Sequence, residues 1–263
     1  MSDITPILID LNKIITNAKI NKFVQSKTVM QIFYTSDIKG DNALFGRDES
    51  LHCVRVLRMR RGETIYFTDG IGNLYEGVIK DDDHNAVRVS ITAIKPQAGK
   101  RNYRLHIAVS PLKNEDRFEW FIEKAVEVGI DEITPLICAR TEKKRFRKER
   151  LEGLILSAMK QSVKTYLPVL NEPVPFKDFI SGISGSHKLI ACCGEAYERH
   201  PITEEVQGKR DIMIMIGPEG DFSPEETGLA VMEGCIPVHL GTSRLRTETA
   251  GVAACCSVYL ANI

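Results

Sequence analysis

Two apolar runs in the last third of the chain each stop at glycine and give way to a loop that starts a helix. The first is Ile212-Met213-Ile214-Met215-Ile216, followed by Gly217-Pro218-Glu219-Gly220-Asp221-Phe222-Ser223-Pro224-Glu225-Glu226. The second is Ile236-Pro237-Val238-His239-Leu240, followed by Gly241-Thr242-Ser243-Arg244-Leu245-Arg246-Thr247-Glu248. Short apolar runs without alternation are strands buried on both faces, which is how strands of helix-covered parallel sheets read. Two such strands opening into neighbouring loops mark where an α/β sheet binds a small molecule. Ordinary strand-to-helix turns are the alternative reading.

The chain before these loops changes texture twice. Residues 1–29 carry Ile4, Ile7, Leu8, Leu11, Ile14, Ile15 and Ala18 at helical spacing, which predicts an amphipathic helix on an appended segment. From residue 30 to about 97 the pattern is short and strand-like: Ile32-Phe33-Tyr34, Glu63–Thr68, Asn73–Ile79 and Ala86–Ile91. Asp69-Gly70 and Gly72-Asn73 between two of these runs are hairpin signals. Residues 52–58 read as a helix before the turn at Arg61-Gly62. The whole predicts a small β-barrel with basic residues on one side, ended by a linker at residues 95–100.

From residue 101 to 263 strand candidates at 105–109, 133–137, 189–193, 212–216 and 236–240 alternate with helices. Phe118, Phe121, Ile122, Ala125 and Val126 define one helix ending at Gly129. Leu151, Leu154, Ile155, Ala158 and Met159 define another over residues 150–163, and the last covers 248–260. This alternation implies a mostly parallel sheet with helices on both faces. Gly251 costs that last helix about 1 kcal/mol against alanine, which points to close backbone approach by a ligand loop or a second subunit.

Composition excludes several classes. No run in the 263 residues approaches the roughly 18 apolar residues of a membrane span, and the N-terminus lacks a secretory pattern. The seven cysteines form no C-x-x-C pair, and Cys138, Cys192, Cys193, Cys255 and Cys256 sit in apolar runs. They read as buried thiols of a reducing cytoplasm. The six histidines show no ligand spacing, so no metal is expected. Net charge is zero, but Arg55, Arg58, Arg60 and Arg61 crowd one stretch. Residues 140–150 hold seven basic side chains, among them Arg140, Lys143, Lys144 and Arg145, against two acidic ones. Each cluster is either a solvated face or a footprint for a phosphate backbone.

The first loop ends in a helix start: Ser223 as N-cap, Pro224 at N1 and Glu226 at N3. Helix N-termini often take phosphate, but Glu219, Asp221, Glu225 and Glu226 oppose an anion. A neutral or cationic ligand fits better, with the glycines allowing a flat group such as adenine to approach. In the second loop Thr247 is placed to cap the final helix. Arg244 and Arg246 either hold a polynucleotide phosphate or polarise a base carbonyl, with an ion pair to Glu219 or Glu248 as the alternative for Arg246.

Gly217-Pro218-Glu219-Gly220 with Phe222-Ser223, then Leu240-Gly241 and Leu245-Arg246-Thr247-Glu248-Thr249-Ala250, resembles the ribosomal RNA small-subunit methyltransferase E family. Val56-Leu57-Arg58 with Gly62, Lys124–Ile130 with Pro135, and Gln161-Ser162 with Pro168 extend the likeness over residues 30–263. The resemblance implies a PUA-like β-barrel followed by a SPOUT domain with a deep trefoil knot, usually homodimeric and cytoplasmic. It implies methylation of uridine N3 in small-subunit (16S) ribosomal RNA, with S-adenosyl-L-methionine as methyl donor and the small ribosomal subunit or its RNA as partner. The positions matching the cofactor site are Gly217, Pro218, Glu219, Gly220, Leu240, Gly241, Leu245, Arg246, Thr247 and Ala250. Arg246, Glu248 and Arg244 are the catalytic candidates. Two features depart from the family: residues 1–29 have no counterpart, and Asp221 stands where relatives often carry a second glycine. An RNA-binding assembly factor without catalysis, and a methyltransferase of another RNA, are the competing readings.

Overall fold

The computed structural model describes residues 31–143, 146–194 and 196–263. The helix expected within residues 1–29 lies outside them, as do Lys144 and Arg145.

The first part of the chain forms β1 (Ile32–Tyr34), β2 (Ile38–Lys39), β3 (Asn42–Leu44), α1 (Arg47–Leu51), β4 (Thr64–Thr68), β5 (Leu74–Asp81) and β6 (Arg88–Lys95). They make a curled six-stranded sheet in the order β1-β4-β5-β6-β3-β2, with β1 parallel to β4 and the rest antiparallel. The period-2 alternation puts Ile65, Phe67, Tyr75, Ile79 and Val89 on one buried face with Phe33 and Phe45. The helix expected at 52–58 begins earlier, at Arg47, and its second half is wound as a π turn over His52–Val56. Residues 96–100 are pinned: the Ala98 N–H donates to Gly72 O at 2.8 Å, and the Thr165 hydroxyl donates to Ala98 O.

The rest forms β7 (Arg104–Val109), α2 (Glu115–Val128), β8 (Glu132–Ile137), α3 (Lys148–Gln161), β9 (Val169–Leu170), β10 (Val174–Pro175), α4 (Phe176–Gly182) and β11 (His187–Ala191). It continues with β12 (His200–Pro201), α5 (Ile202–Val206), β13 (Asp211–Ile216), α6 (Pro224–Met232), β14 (Ile236–His239) and α7 (Thr247–Ala261). The sheet order is β10-β8-β7-β13-β11-β14-β12, with β9 also on β8 and every pairing parallel. Strand β13 is inserted between β7 and β11, six residues in register with the first and five with the second. Its side chains are buried on both faces. Ile212, Ile214 and Ile216 belong to the core that also takes in α2, α3, α5 and α7, while Met213 and Met215 belong to the core with α4 and α6.

The sheets are joined by backbone. The Leu167 N–H donates to Gly70 O at 2.8 Å, the Gly72 N–H to Thr165 O at 2.9 Å, and Ile71 bridges Tyr166. Lys160 of α3 pairs with Glu49 of α1. All seven cysteines are free. Five are buried, and burial pushes the thiols of Cys53, Cys192 and Cys235 up to about 11. Cys193 differs from expectation: β11 stops at Ala191, so Cys193 is exposed in the following loop.

Gly251 is explained within the chain. A Cβ there would lie 2.5 Å from Phe121 Cε2 of α2. The close approach that the sequence assigned to a ligand loop or a second subunit is therefore a crossing of α7 over α2. Gly251→Ala should lower the melting temperature by about 2–4 °C, because overpacking outweighs the helix-propensity gain of about 1 kcal/mol. Adding Phe121→Leu should recover part of the loss in the same thermal melt.

Candidate functional site

In a parallel sheet every strand-to-helix loop leaves at the carboxyl edge. Because β11 lies between β13 and β14, the segments that follow these three strands leave side by side there: 192–194, 217–223 and 240–246. The first of these was not picked out from the sequence. Its only signal was that its strand would have to lie between the other two.

The 217–223 loop is tightly held. Gly217 and Pro218 are buried, whereas Glu219 and Gly220 are exposed. A Cβ on Gly217 would sit 3.1 Å from the Phe222 ring, so the loop folds back on its own aromatic anchor. The Asp221 N–H donates to Pro218 O at 2.9 Å, closing a turn, and Asp221 takes φ 63°. That left-handed angle is the physical reason for a glycine at this position, and Asp is one of the few residues that tolerate it. Its carboxylate accepts from Phe222 N–H and from Cys193 N–H, both at 2.9 Å, and so ties two loops together. The expected helix start is present as a full capping box between Ser223 and Glu226. Buried Glu226 also accepts from Ala139 N–H at 2.7 Å.

The second loop departs from expectation at Thr247. Arg246 occupies the N-cap position of α7, without a side-chain cap bond, and Thr247 is the first helical residue. The Thr247 hydroxyl instead donates to Gly217 O at 3.0 Å, joining the first loop to the second. Leu240, Leu245 and Ala250 are half-buried beside it, while Gly241, Arg244 and Arg246 are exposed. The ion pair considered for Arg246 does not form among the described residues. Glu248 faces Arg117 of α2 instead, at 3.8 Å through Oε1. Glu248 is only 7% exposed, and its Oε2 has no hydrogen-bond partner.

The basic candidates separate into two groups. Arg55 on the π turn and Arg58 and Arg61 in the loop after it are exposed without ion pairs among the described residues, and Arg60 lies 3.9 Å from Asp82. Beyond β8, Lys143 pairs with Glu115, and Arg150 grips Glu119 at 2.5 and 2.8 Å. Arg140 reaches the first loop, donating to Gly220 O at 2.6 Å. Among the described residues no cluster of three or more His, Cys, Asp or Glu side chains could hold a metal ion, and no helix is long and apolar enough to cross a membrane.

A sequence profile of the RNA methyltransferase domain matches residues 99–259, and one of the RNA methyltransferase PUA domain matches 45–92. A probable rRNA-methyltransferase from Porphyromonas gingivalis superposes with TM-score 0.82 at 38% identity, covering 88% of this chain and 98% of its own. The chain belongs to the ribosomal RNA small subunit methyltransferase E family. A relative of that name from Mycobacterium bovis is 27% identical over 86% of this chain and 90% of its own length. A putative methyltransferase from Legionella pneumophila, solved in complex with the bound cofactor SAM, superposes with TM-score 0.77 at 28% identity, over 89% of this chain and 98% of its own. The family fold thus combines a curled PUA-like sheet with an α/β methyltransferase sheet.

Asp221 supplies a direct test of the loop geometry. Asp221→Ala should destabilise the protein by about 1–3 kcal/mol, losing two hydrogen bonds while keeping the strained angle. Asp221→Gly should cost less, because glycine takes that angle freely. Urea unfolding of the two variants side by side measures the order.

Proposed function

We propose that this chain transfers a methyl group from S-adenosyl-L-methionine to N3 of a uridine in small-subunit ribosomal RNA. The observation that carries the reading is the Thr247–Gly217 hydrogen bond at 3.0 Å, which joins the two glycine loops proposed to hold the donor. The two loops suit the donor molecule. Buried Gly217 and Pro218 with the half-buried Leu240, Leu245 and Ala250 fit an adenosine. Glu219 and Glu248, with no lysine in either loop, fit a cation better than a phosphate. The segment after β11, tied to Asp221 through the Cys193 amide, is the proposed third wall. We read residues 101–263 as a SPOUT domain with a deep trefoil knot, supported by the insertion of β13 between β7 and β11 ahead of the last loop. Residues 30–97 are the PUA-like RNA-binding unit of this reading.

When bound, S-adenosylmethionine supplies a methyl group already activated by its sulfonium charge. The protein's work is then to position the uridine and make N3 nucleophilic. Glu248 is the proposed base: its Oε2 is buried and unpartnered, on the helical turn that follows the cofactor loop. Arg246, with Arg244 behind it, is free to face the uracil oxygens as negative charge develops there. Arg55, Arg58, Arg60 and Arg61 are the proposed phosphate contacts. The working form is read as a cytoplasmic homodimer, supported by apolar surface on two packed helices: Trp120 of α2 and Leu260 of α7 are exposed.

Radiolabelled methyl transfer to under-methylated small subunits should occur with wild-type protein. Incorporation into transfer RNA or free nucleosides alone, or donor binding without transfer, would sink the assignment. Glu248→Gln should lower kcat by about 10²–10⁴. Replacing two of Arg55, Arg58 and Arg61 should weaken RNA binding and flatten its dependence on salt, measured by filter binding.

A further inference from the structure

We propose that Arg140 is a latch for the 217–222 loop: a positioning residue for S-adenosylmethionine, and not a contact to an RNA phosphate. The proposal rests on the reading that this loop holds the methyl donor.

Arg140 follows β8, two strands away from β13 in the sheet. Its backbone is pinned on both sides. On one, the Ala139 N–H donates to Glu226 Oε1 at 2.7 Å. On the other, the Thr141 hydroxyl accepts from Cys138 N–H at 2.8 Å and shares a buried 2.7 Å hydrogen bond with the Ser110 hydroxyl. From this fixed base Arg140 Nη1 donates to Gly220 O at 2.6 Å and reaches Phe222 O at 3.4 Å. Its stem packs on the glycine, with Arg140 Cδ 3.3 Å from where a Gly220 Cβ would sit.

The two carbonyls flank Asp221, the residue held at φ 63°. A left-handed non-glycine backbone persists only where its surroundings over-determine it. Arg140 holds one side of that turn, and the Asp221–Cys193 hydrogen bond holds the other. A guanidinium suits this role because its planar fork orders with little further entropy loss once placed. Without it, the loop's peptide planes regain freedom that donor binding would have to remove again. The basic character of residues 140–150 hid this role in the sequence.

The test measures donor affinity by calorimetry and RNA affinity by filter binding across salt, on full-length wild type, Arg140→Ala, Arg140→Gln and Arg140→Lys. Arg140→Ala should weaken S-adenosylmethionine binding about tenfold, with RNA affinity and salt slope unchanged. Arg140→Lys should recover part of the donor affinity. Arg140→Gln keeps the stem and a donor, so it serves should the alanine variant melt early. Unchanged donor affinity in a folded variant, with a salt slope reduced by about 0.7–0.9, would identify a phosphate contact and overturn the proposal. Failure of the wild type to bind S-adenosylmethionine would instead remove the cofactor reading itself.

Discussion

Every strand pairing in the larger sheet is parallel, so its strand-to-helix loops all leave at one edge. The site depends on that constraint more than on any single contact. Adjacent parallel strands are joined by crossovers, most of them helical here, and the central strands are buried on both faces. Placing β11 between β13 and β14 brings loops from three crossovers together. Short polar ties then remove their remaining freedom: Asp221 to the Cys193 amide, Thr247 to the Gly217 carbonyl, and Glu226 to the Ala139 amide. None is a strong interaction alone. Together they set one shape, because each fixes a segment whose other end is already anchored in a strand or helix.

Charge at this edge follows the same economy. Lys143 and Arg150 are drawn onto carboxylates of α2, and Arg140 onto loop carbonyls. Arg244 and Arg246 stay exposed at the mouth of the second loop. Glu248 keeps one oxygen without a partner in a buried setting, where an unmet acceptor is costly. The smaller sheet is fastened to the larger by backbone hydrogen bonds at residues 70–72 and 165–167, with a side-chain bond from Thr68 to Thr165 O at 3.1 Å. A surface gripping RNA on the first sheet would therefore hold a fixed relation to the loops of the second.

Much of this was legible before folding. Phe118, Phe121, Ile122, Ala125 and Val126 form the buried stripe of α2 as their spacing predicts. The runs at 212–216 and 236–239 are strands, and Ser223 caps α6 with Glu226 at N3. Strands β2, β9, β10 and β12 were not legible, because two residues carry no periodicity. The ion pairs of Lys143 and Arg150 were not legible, since composition cannot reveal which carboxylates α2 will present to them. Thr247 has the composition of a cap, but its hydroxyl met a carbonyl thirty residues away first.

The sequence by itself determined the class of the fold, the two loops and the family, because apolar period, glycine placement and helix-start chemistry are local properties. Only the tertiary structure decided which groups meet. Strand order is set by crossovers that no local pattern encodes. That order alone brought in the third loop, turned Gly251 toward Phe121 and sent Arg140 to the Gly220 carbonyl. It also explains how Asp221 keeps a left-handed backbone: it is held by neighbours that are distant in the chain and adjacent in space.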